Sequence, residues 1–392
     1  MTAVSLLSAT LFLLVCLAAA MPALYVGVLS FLACISPERQ AVTGQFCGDR
    51  SRAVTRFLVL IPAHNEEMLI GDLLDNLSNI SYPKDACNVA VIADNCCDRT
   101  AEIARAAGAY VLERTDPENR GKGQALHWAM SEALPSLKVA WEGLVVIDAD
   151  SVVNTDFLYF MDDTLQQGHN VLQGYYGVQN PEMNWRTSLL TIALAGFHFV
   201  RPLARNWLGF SCGLKGNGMC FDRHIVQQYG YPAFSIVEDV ELGMLYLTND
   251  IRVHFVPGAQ VFGQMVTSGD QAEPQRVRWE RGRRQVLRDY VPALVRAGIR
   301  ERNTAKLDGA MELSTPPFAV MCILSAALAL VAGLLCMAMP QSTLLVTALA
   351  VSLAALLSEF FHVVTAISLT KPSATVIRRL AFTPLYVVWR LF

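Results

Sequence analysis

The chain has 392 residues, 53% of them hydrophobic and 17% charged, with a formal net charge of −3. A mean hydropathy of +0.35 is too high for an ordinary soluble domain, and the charge leaves no basic footprint for a nucleic acid partner. The 10 cysteines are scattered apart from adjacent Cys96-Cys97 and form no Cys-x-x-Cys pair, which argues against zinc and disulfide scaffolds and for a reduced, cytosol-facing compartment.

The first element is an uncharged apolar run from Ser5 to Ile35. About 20 apolar residues cross a bilayer core as a helix, so residues 1–36 are predicted to be an N-terminal transmembrane anchor. Ala18-Ala19-Ala20 resembles a signal-peptide cleavage site, but no basic residue precedes the run and it continues well past those alanines.

Residues 50–300 read as a cytosolic domain. Short buried-strand runs occur at Phe57–Pro62, Val89–Asp94, Ala109–Leu112 and Leu144–Asp148. Helical stretches fall between them at Met68–Leu77, from Asp98 to Ala107, and at Lys122–Leu134. This alternation predicts an α/β fold, a mostly parallel sheet with helices on both faces. Ligands bind such sheets off the carboxyl ends of the strands, where His64–Glu67, Asp94-Asn95 and Asp148–Asp150 lie.

Two further apolar runs, Phe318–Met339 and Thr343–Leu369, are joined by Pro340-Gln341-Ser342 and predict a transmembrane hairpin within 316–370. Arg39, Arg50, Arg52 and Arg56 follow the first span, and Lys371, Arg378 and Arg379 follow the third. The positive-inside rule then puts the middle domain in the cytosol, with 371–392 as a basic, amphipathic interfacial segment. Glu359 and His362 share one face of the third span. Ionisable groups in a bilayer usually face protein or water, so this pair is expected to line an acceptor entrance, with snorkelling as the alternative.

Asp148 and Asp150 stand one residue apart at a strand end, the spacing for holding Mg2+ or Mn2+ against a diphosphate. Arg120 and Lys122 lie in a glycine turn that opens a helix and suit an anion. Glu238, Asp239 and Glu241 crowd three carboxylates into four residues, any of which can act as a general base or simply enrich a helix N-terminus. Gln275, Arg278 and Trp279 offer guanidinium donors and a flat ring for a sugar, whereas Arg281, Arg283 and Arg284 suit anionic lipid headgroups.

Taken in order, these pieces resemble the membrane-bound family 2 glycosyltransferases, the group of cellulose, chitin and hyaluronan synthases and nodulation chitooligosaccharide synthases. The matching motifs are Ile61-Pro62-Ala63-His64-Asn65-Glu66-Glu67, Ala93-Asp94 with Asp98-Arg99-Thr100, Gly121-Lys122 with Ala125-Leu126, Asp148-Ala149-Asp150, Gly216-Asn217-Gly218, Glu238-Asp239, and Gln275 to Trp279 as Q-x-x-R-W. The resemblance implies a GT-A-like fold and an inverting transfer from a nucleotide diphosphate sugar, a UDP-sugar above all, to a saccharide or lipid-linked acceptor. By the same resemblance Asp94 contacts the nucleobase, with Pro62, Ala63, Glu66, Asp98 and Lys122 in or beside its pocket. Asp148 and Asp150 hold the diphosphate and its metal, and Asp239, with Glu238 beside it, supplies the catalytic base. Gln275, Arg278 and Trp279 cover the diphosphate and the acceptor sugar, while Gly216, Asn217 and Gly218 approach the acceptor. Membrane lipids and a second copy of the chain are the remaining expected partners. A polymer synthase and a single-sugar transferase both fit, as does a non-catalytic partner of a polysaccharide synthesis complex. A tethered nucleotide-sugar dehydrogenase would need G-x-G-x-x-G after the first strand, and Pro62–Glu66 is not that.

Overall fold

A computed structural model describes residues 3–267 and 269–383, and their side chains except at 3–5, 41–42 and 269–276. Eight strands form one sheet: β1 Phe57–Ala63, β2 Cys87–Asp94, β3 Tyr110–Arg114, β4 Gly143–Val146, β5 Ser151–Val153, β6 Val171–Val178, β7 Met219–Asp222 and β8 Val253–Gly263. Their order is β3-β2-β1-β4-β7-β6-β8-β5. β1 pairs in parallel with β2 and β4, β2 with β3, and β6 with β8. β7 runs antiparallel to β4 and β6, and β5 antiparallel to β8. The sheet is therefore mixed, with its parallel half where the sequence predicts one. β1 is buried along nearly its whole length, as a strand covered on both faces must be.

The helices are α1 Ala3–Ile35, α2 Ile70–Ser78, α3 Thr100–Ala106, α4 Lys122–Trp128, α5 Leu134–Ser136, α6 Phe157–Gln166, α7 Trp185–Ala195, α8 Arg201–Trp207, α9 Arg223–Tyr229, α10 Glu238–Thr248, α11 Gly269–Glu301, α12 Thr304–Ser314, α13 Phe318–Ala338, α14 Thr343–Thr370 and α15 Ala374–Arg378. Two cores sandwich the sheet. One takes Phe57, Val59 and Ile61 with α2 and α6, and the other takes Leu58 and Leu60 with Leu126, Phe199 and Tyr246. Strict alternation along β1 divides its side chains between them.

Leu29 and Ala33 of α1 belong to that second core. The stretch Leu6–Ile35 has 30 residues, about 45 Å of helix against a bilayer core of about 30 Å. Its last turns pack against the sheet domain and α14, where Val26, Leu29, Ser30 and Ala33 are buried.

Among the described residues, four helices are long and apolar enough to cross a membrane: Leu6–Ile35, Trp185–Trp207, Phe318–Ala338 and Thr343–Thr370. The second is not among the spans read from the sequence. It joins α7 and α8 through a π-helical turn, Gly196–Val200, and 67% of its most apolar stretch is buried within the protein, against 22%, 17% and 28% for the others. It packs on α14 and α1 on one side and on the sheet on the other. Its charges hide its character in the sequence, because Arg201 and Arg205 are neutralised by Glu312 and Asp308 on α12.

Glu359 and His362 are both buried. His362 Nδ1 lies 2.7 Å from Ser30 Oγ, and Glu359 accepts a 2.8 Å bond from Ser325 Oγ. A methyl group at Gly196 would collide with His362 Nε2. The pair thus ties α14 to α1, α13 and the π turn, and does not line an open entrance as the sequence led us to expect. Of the expected interfacial segment 371–392, residues 384–392 lie outside the described residues.

Candidate active site

The site forms where the parallel strands end. After β1 and β2 the chain turns through Asn65 and Asn95, at φ of 58° and 51°, a conformation asparagine tolerates better than branched residues. Each uses its amide as a latch. Asn65 Oδ1 accepts from the Cys97 amide at 2.8 Å, and Asn95 Oδ1 from the Asp116 amide at 2.8 Å. Asp94 is buried at the end of β2, its Oδ1 bonded by Arg114 Nη1 at 2.7 Å and by Asn95 Nδ2 at 2.9 Å. Pro62 and Ala63 end β1 alongside.

Asp98 bonds the Thr100 amide at 3.0 Å, the Thr100 hydroxyl at 2.6 Å and the Glu67 amide at 3.0 Å. These bonds commit its carboxylate to holding together the loops that follow β1 and β2. The Thr100 hydroxyl in turn accepts from the Glu66 amide at 2.8 Å and fixes Glu66 in place.

Asp148, Ala149 and Asp150 fall in the loop between β4 and β5. Lys122, at the start of α4, pairs with Asp148 and donates to the Gly216 carbonyl at 2.6 Å. Asn217 is fully buried; its Oδ1 accepts from the Asp148 amide at 3.2 Å, and its Nδ2 donates to Ser151 Oγ at 2.8 Å. The glycine motif therefore braces the loop that carries Asp148. Gly216 and Gly218 sit at φ of 79° and 69°, where a side chain would be strained.

Gly216 faces Asp239. A methyl group there would stand 3.2 Å from Asp239 Oδ2. Asp239 and Glu238 open α10, and Glu238 packs against Gly123 of α4. Glu241 is engaged elsewhere: its Oε2 accepts from the amides of Phe234 at 3.0 Å and Ser235 at 2.8 Å.

Burial raises the pKa of Asp239 and Glu238, Glu238 further through the charge of Asp239, with Lys122 opposing in both. Burial weakens the Lys122 charge, but Asp148 and Glu238 outweigh it and its pKa rises. Burial and then the charge of Asp148 raise Asp150, while Glu66 is raised by burial and then by Asp150 and Asp148. Crowded carboxylates of this kind are what a divalent cation relieves, and carboxylate oxygens are the donors that Mg2+ and Mn2+ take. Among the described residues no three His, Cys, Asp or Glu side chains are placed to share one ion. The donor set fits a cation held by two aspartates together with ligand oxygens.

Trp279 is 48% exposed on α11, and Arg278 beside it is also exposed. A methyl group at Gly282 would sit 3.1 Å from Ile236 Cβ, so this part of α11 lies against the segment leading into Glu238. The side chain of Gln275 lies outside the described residues. Arg114 and Gln173 escaped the sequence reading. Gln173 bonds the Asn217 carbonyl at 2.7 Å and accepts from the Lys215 amide at 2.8 Å. A single amide side chain in the buried run Val171–Val178 was the available signal.

Comparison with known proteins follows the same lines. A family model described as glycosyltransferase like family 2 matches residues 55–282. The probable glycosyltransferase YdaM of Bacillus subtilis is 26% identical over 253 residues, 62% of this chain and 59% of that protein. The beta-monoglucosyldiacylglycerol synthase of Nostoc sp. is 30% identical over 256 residues, 63% of this chain and 53% of that one. The chain thus spans between half and three-fifths of these relatives. Among solved structures, the mannosyltransferase PcManGT of Pyrobaculum calidifontis, in complex with GDP-Man and Mn2+, superposes with a TM-score of 0.49 at 18% identity, covering 87% of this chain and 97% of that one. The mixed α/β sheet with apolar helices toward both ends is the GT-A-like arrangement the sequence predicts. With a match over more than half its length, the chain belongs to glycosyltransferase family 2 and is an enzyme.

Proposed function

We propose that this enzyme transfers a hexose, with inversion, from a nucleoside diphosphate sugar (UDP in particular) to a hydroxyl of a lipid or saccharide acceptor at the cytosolic face of a membrane. The observation that carries the reading is the meeting of Asp239, Gly216, Lys122 and Asp148 at the carboxyl ends of the parallel strands. Asp94 with Pro62, Ala63 and Glu66 would receive the nucleobase, and Asp98 holds that pocket's rim. Lys122 is placed to bind diphosphate oxygens, and Asp239 to take the acceptor proton across Gly216. Glu238 beside it keeps the local field negative. Arg278, Trp279 and Gln275 would close over the diphosphate and the acceptor sugar. Asp148 and Asp150 would hold Mg2+ or Mn2+, which when bound neutralises charge on the departing nucleoside diphosphate.

The membrane part of the proposal rests on the apolar faces of α1, α13 and α14 and on the basic residues that follow the first and third spans. The name of the Nostoc relative supports a glycolipid product. The test is enzyme purified in liposomes and supplied with a panel of radiolabelled nucleotide sugars. Transfer should vanish with EDTA and return with Mg2+ or Mn2+, and Asp150→Ala should bind nucleotide poorly and turn over almost nothing. Full activity after EDTA treatment removes the metal, and failure to bind any nucleotide sugar removes the function.

A further inference from the structure

Lys215 precedes the Gly216–Gly218 loop, and its ammonium points away from the donor side. It lies 3.9 Å from the centre of the Phe197 ring, which also carries Arg201 Cζ at 4.6 Å. Phe197 sits in the π-helical turn Gly196–Val200, a distortion that recurs at functional sites. Leu214 and Gly216 on either side of Lys215 are buried, as are Gly196 and His198 around Phe197, yet Lys215 and Phe197 themselves keep part of their surface open.

Arg201 pairs with Glu312, Arg205 with Asp308 and Lys122 with Asp148. Among the described residues no carboxylate lies within 4.0 Å of Lys215 Nζ, and the charges of Glu312 and Asp239 act on it only from further off. Burial, with Arg201 and Arg205 adding to it and Glu312 opposing, pulls the Lys215 pKa down to about 8. Enclosed charges are normally paired, and a partly open ammonium with no ion pair of its own is suited to an incoming anion.

Its position says which anion. The Gly216 loop passes between Lys122 on the donor side and Asp239, and Phe197 belongs to the helix that packs on α1 and α14. We propose that Lys215, over Phe197, forms an anion subsite on the acceptor side of Asp239, and that it receives a phosphate or carboxylate of an amphiphile arriving from the bilayer. This rests on the transferase function proposed above and specifies its acceptor as anionic, where diacylglycerol is neutral.

The test uses the full chain in detergent micelles and the binding of dihexanoylphosphatidic acid, dihexanoylglycerol and glycerol 3-phosphate, read by fluorescence titration. Wild type should bind the phosphatidic acid at least tenfold more tightly than the dihexanoylglycerol. Lys215→Met should abolish that preference and Lys215→Arg should restore most of it. Equal binding of the two lipids by wild type, or a preference that survives Lys215→Met, overturns the subsite. Glycerol 3-phosphate binding as tightly as the phosphatidic acid overturns delivery from the bilayer. Nucleoside diphosphate binding in the same samples is the control for fold and for the transferase function. Its absence from wild type defeats that function, whereas its presence alongside equal lipid binding defeats the subsite alone.

Discussion

Asp239 and Glu241 lie two residues apart and have different surroundings. Asp239 faces Gly216, while Glu241 holds two backbone amides of the preceding loop. Asp239→Asn should keep nucleotide binding and lower turnover by roughly 10²-fold or more. Glu241→Gln should lower the melting temperature and leave the pH profile of the remaining activity in place. Burial raises the Asp239 pKa, so with Asp239 as the proposed base, activity should fall at a pH above the ordinary carboxylate value of about 4. Lys122 opposes that rise. In Lys122→Met the acid limb of kcat/KM, followed on residual activity, should therefore move to higher pH, and a limb that stays put would mean the titrating group is another one.

At the scale of elements, a buried ion pair and a tyrosine hydrogen bond join α8, α12 and α1. Arg205 Nε lies 2.7 Å from Asp308 Oδ2, and Asp308 Oδ1 accepts from Tyr25 of α1 at 2.7 Å. α8, α12 and α1 thus meet around one carboxylate. Removing one partner of a buried pair strands the other, so Arg205→Ala should destabilise the protein by about 3–5 kcal/mol, measured by thermal or denaturant unfolding in micelles. Gly123 marks a second junction, since a methyl group there would run into the Ala233 carbonyl and stand 3.2 Å from Glu238 Cβ. Gly123→Ala should cost about 1–3 kcal/mol of overpacking. It should also reduce turnover, because Lys122 and Glu238 are displaced together.

For the whole molecule, anchor and catalytic domain share one core. Leu29 and Ala33 of α1 are in the same cluster as Leu58, Leu60 and Phe199. A fragment of residues 50–300 should therefore aggregate or lose near-UV circular dichroism, although the sequence divides the chain at that boundary. A soluble, nucleotide-binding fragment would show that this shared core is dispensable.

The periods and punctuation of the sequence determined the parallel strands β1, β2, β3 and β4, the three apolar spans, and the carboxylates and lysine at the strand ends. These signals are local: a buried strand, a helix start and a bilayer-length apolar run each lie within about 20 neighbouring residues. Tertiary structure alone decided what depends on distant partners. It made Asn217 a brace for Asp148, gave Asp98 to the loop amides and Asp94 to Arg114, and set Glu241 apart from Asp239. It also buried the arginine-bearing helix Trp185–Trp207 between sheet and bundle. Arg201 and Arg205 meet the carboxylates that neutralise them, Glu312 and Asp308, only in the fold, from more than 100 positions away.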